Sequence, residues 1–111
     1  MWPFKKKQAS DLVLKDKKQV EDIIDLVKYF KEVLKDNPDA LNLLSEIEDK
    51  IKYANPSSDS TIYKLDEKIF NKLADLKITV QKAISSGSLQ DLSLDELKNI
   101  RLQVIDRNSK L

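Results

Sequence analysis

The sequence predicts an all-α fold, an antiparallel up-and-down bundle of three long helices plus one short C-terminal helix. Three observations lead to this prediction. Apolar residues recur at the three- and four-residue spacing of amphipathic helices along most of the chain. Gly87 is the single glycine, too few for the many tight turns of an all-β fold. Short turn-like segments separate the long helical ones, which favours antiparallel neighbours.

The first helix is expected from about Lys17 to Lys35, and either Ser10 or Asp16 could cap its start. Asp16 followed by Gln19 has the spacing of a capping box. Acidic residues near the start and lysines near the end complement the helix dipole. The predicted buried stripe consists of Val20, Ile23, Ile24, Val27, Phe30 and Leu34.

The second helix is expected from Asn37-Pro38, a favoured cap and first position, to about Tyr53. The turn-rich segment 55–60 follows, and the third helix is expected from near Ser60 to Ser86, with Gly87 as its stop. Two apolar stripes define the buried faces: Ala40, Leu44, Ile47, Ile51 and Ala54 on the second helix, and Ile62, Leu65, Ile69, Leu73, Leu76, Val80 and Ala83 on the third, with Phe70 and Ile84 alongside.

The fourth helix has the sharpest local signal. Ser93 and Glu96 have capping-box spacing, and Leu92 with Leu97 forms the matching hydrophobic staple. Leu97, Ile100, Val104 and Ile105 are expected to face inward. With 111 residues, the chain is expected to form a single helical-bundle domain over 10–111, preceded by an apolar and basic N-terminal tail at 1–9.

The composition argues against most catalytic chemistry. Histidine and cysteine are absent, which removes imidazole bases, thiolate nucleophiles and the usual zinc sites. A single glycine excludes a phosphate-cradling loop. The clustered carboxylates of the first two helices fall on the predicted polar faces. We therefore expect a non-enzymatic protein with no cofactor, no metal site and no small-molecule substrate.

The N-terminal tail carries the most unusual residues of the chain. Trp2 and Phe4 are followed directly by Lys5, Lys6 and Lys7, all outside the predicted helices. Aromatic rings favour the membrane interface and lysines favour an anionic leaflet, so these five residues are candidates for membrane or partner contact. The alternatives are that the two rings pack back against the bundle, or that the tail has no function.

Lys64, Lys68 and Lys72 recur every four residues on the third helix, where like charges repel one another. This basic strip is a possible partner-facing surface. The alternative is that it faces acidic residues of a neighbouring helix, or water. Nucleic acid is not expected as a partner, because the net charge is only +1 and the two arginines have no aromatic residues beside them.

These features favour a small helical protein-interaction module, cytoplasmic and peripheral to the membrane, with an unidentified protein partner. The sequence has no run of eighteen apolar residues. In size, charge and predicted bundle architecture the chain also resembles the cytoplasmic four-helix immunity proteins that protect bacteria from their own peptide bacteriocins. The resemblance covers the whole chain in architecture and rests on no motif. It implies, as the alternative, a small protective binding protein.

Overall fold

A computed structural model describes residues 3–52 and 59–110, and their side chains from residue 11 onward. The four α-helices are α1 (Pro3–Val33), α2 (Pro38–Lys52), α3 (Ser60–Ser86) and α4 (Asp95–Ser109), with a short 3₁₀ turn at Leu89–Asp91. No strand occurs in this part of the chain. The all-helical fold is therefore confirmed. The helices contain 31, 15, 27 and 15 of the described residues, and the predicted division into three long helices and one short helix is not confirmed.

Helix α1 differs most from the sequence-based expectation, because it begins at Pro3 rather than near Lys17. Asp16 therefore lies inside the helix and is not an N-cap. No glycine or proline interrupts residues 4–36, so helical structure continues through the expected boundary. The N-terminal residues from Pro3 onward are helical in backbone, whereas the sequence had placed them in a tail.

The predicted start of α2 and both predicted ends of α3 are confirmed, whereas the predicted end of α2 at Tyr53 lies outside the described residues. Asn37 Oδ1 accepts a hydrogen bond from the Ala40 amide at 3.1 Å, and Asp59 Oδ1 accepts one from the Thr61 amide at 2.8 Å. Gly87 ends α3 with φ = 70°. The Ser88 amide donates to the Ala83 carbonyl at 2.8 Å, which is the bond of a Schellman motif.

Helix α4 begins at Asp95, close to the predicted start. Leu94 is the N-cap residue by backbone geometry and has no side-chain cap bond. Ser93 Oγ accepts a hydrogen bond from the Asp95 amide at 3.2 Å, rather than from the Glu96 amide. Glu96 lies 3.6 Å from Lys72 of α3, so it takes part in an ion pair between helices. The predicted capping box is therefore not formed, although Ser93 does bind an amide of the first turn.

The core lies between the helices, with α1 packed against α2 and α3, and α4 packed against the same two. The predicted stripes supply most of it. Ile84 and Ile105 are exposed, at 48% and 43%, and Ile24, Leu65 and Phe70 are only partly buried. Ala54 lies outside the described residues. The core consists of Val20, Ile23, Val27, Phe30, Leu34, Ala40, Leu43, Leu44, Ile47, Ile51, Ile69, Leu73, Leu76, Val80, Leu97, Ile100 and Val104.

Candidate functional site

Three charged residues occupy core positions at one end of the bundle. Asp16, Asp66 and Arg107 are each completely shielded from solvent. Each one also falls in register with an apolar stripe. Asp16 lies four residues before Val20 on α1, Asp66 lies between Ile62 and Ile69 on α3, and Arg107 lies three residues after Val104 on α4. The register of the stripes was the available sequence signal for these residues, and the sequence analysis did not use it.

Arg107 binds both carboxylates. Its Nε donates to Asp66 Oδ1 at 2.7 Å and its Nη2 donates to Asp66 Oδ2 at 3.0 Å, which makes a two-pronged contact. Its Nη2 also lies 3.6 Å from Asp16 Oδ2. One guanidinium therefore holds carboxylates from two other helices. We refer to Asp16, Asp66 and Arg107 as the buried ion cluster.

Asn108 of α4 links the cluster to α2, the one helix that contributes no residue to it. The amide oxygen of Asn108 accepts a hydrogen bond from Arg107 Nη1 at 3.2 Å. Its Nδ2 donates to the backbone carbonyl of Lys50 at 3.0 Å, near the end of α2. Polar contacts at this level therefore join all four helices.

The electrostatics of the cluster favour one bound proton. Burial is the largest influence and raises the pKa of Asp66. Hydrogen bonds from Arg107 lower this pKa, and a hydrogen bond with Asp16 raises it. The combined result is a pKa of about 7. Two ionised carboxylates beside one guanidinium would leave an uncompensated buried negative charge. A shared proton on the carboxyl pair removes it.

A raised pKa on one of two close carboxyl groups is also a feature of catalytic acids. Here, however, Asp16, Asp66 and Arg107 have no exposed surface, so a substrate cannot reach them in this conformation. Within residues 11–52 and 59–110, no group of three or more carboxylates is arranged to hold a metal ion. The geometry is that of a structural cluster that ties helices together.

The N-terminal candidates lie at the start of α1. Phe4, Lys5, Lys6 and Lys7 belong to this helix by backbone. Their side chains, and the whole of Trp2, lie outside the described residues. The choice between membrane contact and packing on the bundle therefore stays a prediction.

The basic strip divides into two parts in the structure. Lys64 and Lys68 are exposed on α3. Lys72 is partly buried, and its Nζ lies 3.6 Å from Glu96 Oε1 of α4. For Lys72, the structure thus provides the acidic neighbour that the sequence analysis offered as an alternative.

Some of the carboxylates expected on polar faces pair with cations of a neighbouring helix. Glu48 accepts a hydrogen bond from Lys31 at 2.7 Å between α1 and α2, and Glu46 pairs with Arg101 of α4 at 3.3 Å. Such surface pairs contribute little stability each. They give no indication of a reactive carboxylate on these faces.

No family model, curated protein or solved structure matches the chain. Of the helices in the described residues, none combines the length and apolar character required to cross a bilayer.

Proposed function

We propose that this protein is a non-enzymatic helical interaction module that attaches to the cytoplasmic face of a membrane through the N-terminal end of α1. The observation that supports the proposal is the length of α1. Its N-terminal end extends in space beyond the N-terminal end of α3, against which it packs. A helix end that extends beyond its packing partner can enter an interface while the core, which begins at Val20 on α1, stays closed.

Two contacts align α1 with α3. Asp16 is joined to Asp66, and further along both helices Lys77 Nζ lies 4.7 Å from the centre of the Tyr29 ring. The two helices therefore run in the same direction. Helix α1 begins thirteen residues before Asp16, whereas α3 begins only six before Asp66. At about 1.5 Å per residue, α1 reaches about 10 Å further than α3.

The residues on this extra length have interfacial chemistry. Phe4 and three lysines fall on the first turns of α1, directly after Trp2. Aromatic side chains settle at the headgroup level, and each lysine contributes about 1 kcal/mol toward an anionic surface. Such an anchor is modest and reversible, so a protein partner at the membrane would strengthen attachment. Leu102 and Ile105 of α4 are exposed, and a partner would cover them.

The proposal includes an up-and-down course of the four helices. Short connections join α1 to α2 and α3 to α4. Contacts between α3 and α4 run in opposite order, since Asp66 meets Arg107 and Lys72 meets Glu96. Contacts between α2 and α4 run in the same order, since Glu46 meets Arg101 and Lys50 meets Asn108. These pairings support alternating helix directions.

Sedimentation with vesicles tests the membrane attachment. We expect the intact chain to sediment with vesicles that contain anionic lipid, and to bind less as salt rises, because screening acts over about 10 Å at 0.1 M. Removal of residues 1–7 should abolish binding and leave the helical circular dichroism signal intact. A matched control, Lys28→Gln with Lys35→Gln and Lys82→Gln, removes three lysines elsewhere and should still bind.

The alternative hypothesis, in which Trp2 and Phe4 pack against the bundle, predicts the opposite results. In that case Trp2 fluoresces in the blue without lipid, and the 1–7 deletion lowers the unfolding temperature. If the intact chain does not bind anionic vesicles at low salt, the membrane proposal is wrong.

The alternative proposal is an immunity-type or other small protective binding protein. The packing of four helices into one bundle favours it. Genome neighbourhood discriminates between the two, because a bacteriocin gene alongside supports immunity, whereas secretion or division genes support a membrane-side adaptor.

A further inference from the structure

The charges of the chain are divided unevenly along the bundle. The buried ion cluster and the Asn108–Lys50 bond mark one level through all four helices. The segments at or beyond that level, with a margin of two residues, are 3–18, 48–52, 59–68 and 105–110. They hold twelve of the 20 lysines and arginines but only eight of the 19 aspartates and glutamates.

One end of the bundle therefore carries a net charge of +4, whereas the remainder carries −3, although the whole chain is only +1. We call the first the basic end. It is the end at which α1 extends beyond α3. Overall net charge concealed this asymmetry, because the two ends nearly cancel.

The lysines of the basic end are accessible on several helices. Lys15 and Lys17 are exposed on α1, Lys50 on α2, and Lys64 and Lys68 on α3. Lys5, Lys6 and Lys7 in the first turns of α1 supply three of the excess charges. Among the exposed side chains of the described residues at this end, eight lysines stand beside five carboxylates, so a further excess of three lies outside those turns. The buried guanidinium of Arg107 is already matched by two carboxyl groups and does not contribute to it.

We propose that the basic end of the bundle is itself a docking surface for an anionic lipid bilayer, so that the protein stands end-on with α1 entering the interface. This inference rests on the membrane attachment proposed above and extends it to Lys50, Lys64 and Lys68, which lie outside the N-terminal segment. It also gives the exposed part of the basic strip a role.

Charge complementarity and continuity argue for a bilayer as the occupant. A bilayer presents a broad surface of negative potential, and lysines spread over three helices suit such a surface. Single-stranded nucleic acid, by contrast, is held by aromatic rings that stack on bases, together with arginine. The exposed cations at this end are all lysines, and Tyr63, the aromatic residue beside Lys64 on α3, is partly buried. Trp2 and Phe4 precede the lysines of α1.

The first experiment reverses charges at either end. The test variant is Lys50→Glu with Lys64→Glu and Lys68→Glu. The control variant is Lys28→Glu with Lys35→Glu and Lys82→Glu, three exposed lysines outside the basic end. Both change the net charge equally and both keep residues 1–7. For vesicles with anionic lipid at low salt, we expect the test variant to lose on the order of a hundredfold in partitioning and the control to lose less than tenfold.

The second experiment measures orientation on the vesicle. The chain has no cysteine, so a single introduced thiol can be labelled cleanly. Ser60→Cys and Ser85→Cys place the label at opposite ends of α3, about 37 Å apart at 1.5 Å per residue. Energy transfer to acceptor-labelled lipid headgroups should be strong from position 60 and weak from position 85.

The outcomes separate the two proposals. Equal energy transfer from both positions, or equal loss of binding in the two charge variants, overturns the end-on surface while attachment through α1 stands. Failure of the intact chain to bind vesicles overturns both. Binding of a single-stranded oligonucleotide in preference to anionic vesicles, abolished by the same three reversals, replaces the lipid by nucleic acid and also overturns the inference.

Discussion

Arg107 and Asp66 form a two-pronged ion pair, with Nε–Oδ1 and Nη2–Oδ2 distances of 2.7 and 3.0 Å, and both side chains are fully buried. The pair brings α4 and α3 together at a core position. Asp16 adds a second carboxyl group to the same guanidinium, so the cluster has one acid more than it has bases. This excess determines how stability should depend on pH.

The free energy of unfolding should fall as pH rises from 6 to 8.5. The folded-state pKa of Asp66 is about 7, above its ordinary value of 3.8, so the folded protein holds a proton that the unfolded chain releases. The corresponding stability is fully present below pH 3.8 and is lost as pH rises through about 7. We expect a loss of about 1–2 kcal/mol in urea titrations over this range. Because the chain has no histidine, side chains with ordinary pKa values contribute little there.

Asp16→Asn should remove this pH dependence, because it leaves a neutral pair of Asp66 and Arg107. We expect the variant to be more stable than the natural sequence at pH 8.5. Asp22→Asn is the matched control, since Asp22 lies on the same helix in a surface pair with Lys18, and should leave the slope unchanged. A slope that survives Asp16→Asn would contradict the shared proton.

Arg107→Met should destabilise the protein by about 3–5 kcal/mol at pH 8, because two buried carboxyl groups lose their cation. Chemical unfolding measures this loss, and it should shrink at pH 5, where Asp66 holds a proton and carries no charge. Arg101→Met is the control, because its pair with Glu46 is partly exposed and should contribute under about 1 kcal/mol. Apolar replacement of all three cluster residues, as Asp16→Leu, Asp66→Leu and Arg107→Met, should recover most of the stability. Equal effects of the two arginine substitutions would argue against a buried cluster.

Gly87→Ala should cost about 1 kcal/mol through backbone conformation alone. Gly87 adopts φ = 70°, and a Cβ atom at this position would meet no other atom within 4 Å. The cost is thus that of a left-handed L-residue without any steric clash. Gly87→Asn should cost less, since asparagine tolerates this region. Thermal unfolding distinguishes the two, and an equal loss in both variants would point to another cause.

Ser93→Ala should cost about 1 kcal/mol, because it removes the acceptor for the Asp95 amide at the start of α4. The comparison is Ser85→Ala, at an exposed position inside α3 that has no capping role. That change should be neutral in chemical unfolding. If the two substitutions have equal effects, Ser93 does not stabilise the start of α4.

The local patterns of the sequence were sufficient for most helix ends and most core residues. Asn37, Asp59 and Gly87 act through their own backbone neighbourhood, so their roles can be predicted from a few adjacent residues. Asp16 could not be placed in this way. The same Asp–Gln spacing fits an N-cap and a helix interior, and the partner that decides between them, Arg107, is distant in sequence.

The buried ion cluster indicates a pattern by which buried charged residues could be predicted from sequence. Each of its residues continues an apolar stripe in heptad register, and the three charges nearly compensate each other at matching ends of their stripes. From the sequence, Asp16 was considered only as a helix cap, and neither Asp66 nor Arg107 was assigned to the core. The burial of these residues depends on opposite charges from other helices, which no single-helix pattern contains.

The packing of α1 and α4 against the same two helices has a consequence for how the chain is assembled. Residues 3–52 and 59–110 each form a helical hairpin, and the two hairpins meet through α1 with α3 and α2 with α4. Apolar faces alone would allow one hairpin to slide along the other by a turn. The contact of Asp16 with Arg107, and of Lys50 with Asn108, would be broken by such a slip. The polar groups at this interface therefore act as a register lock between two halves of one chain.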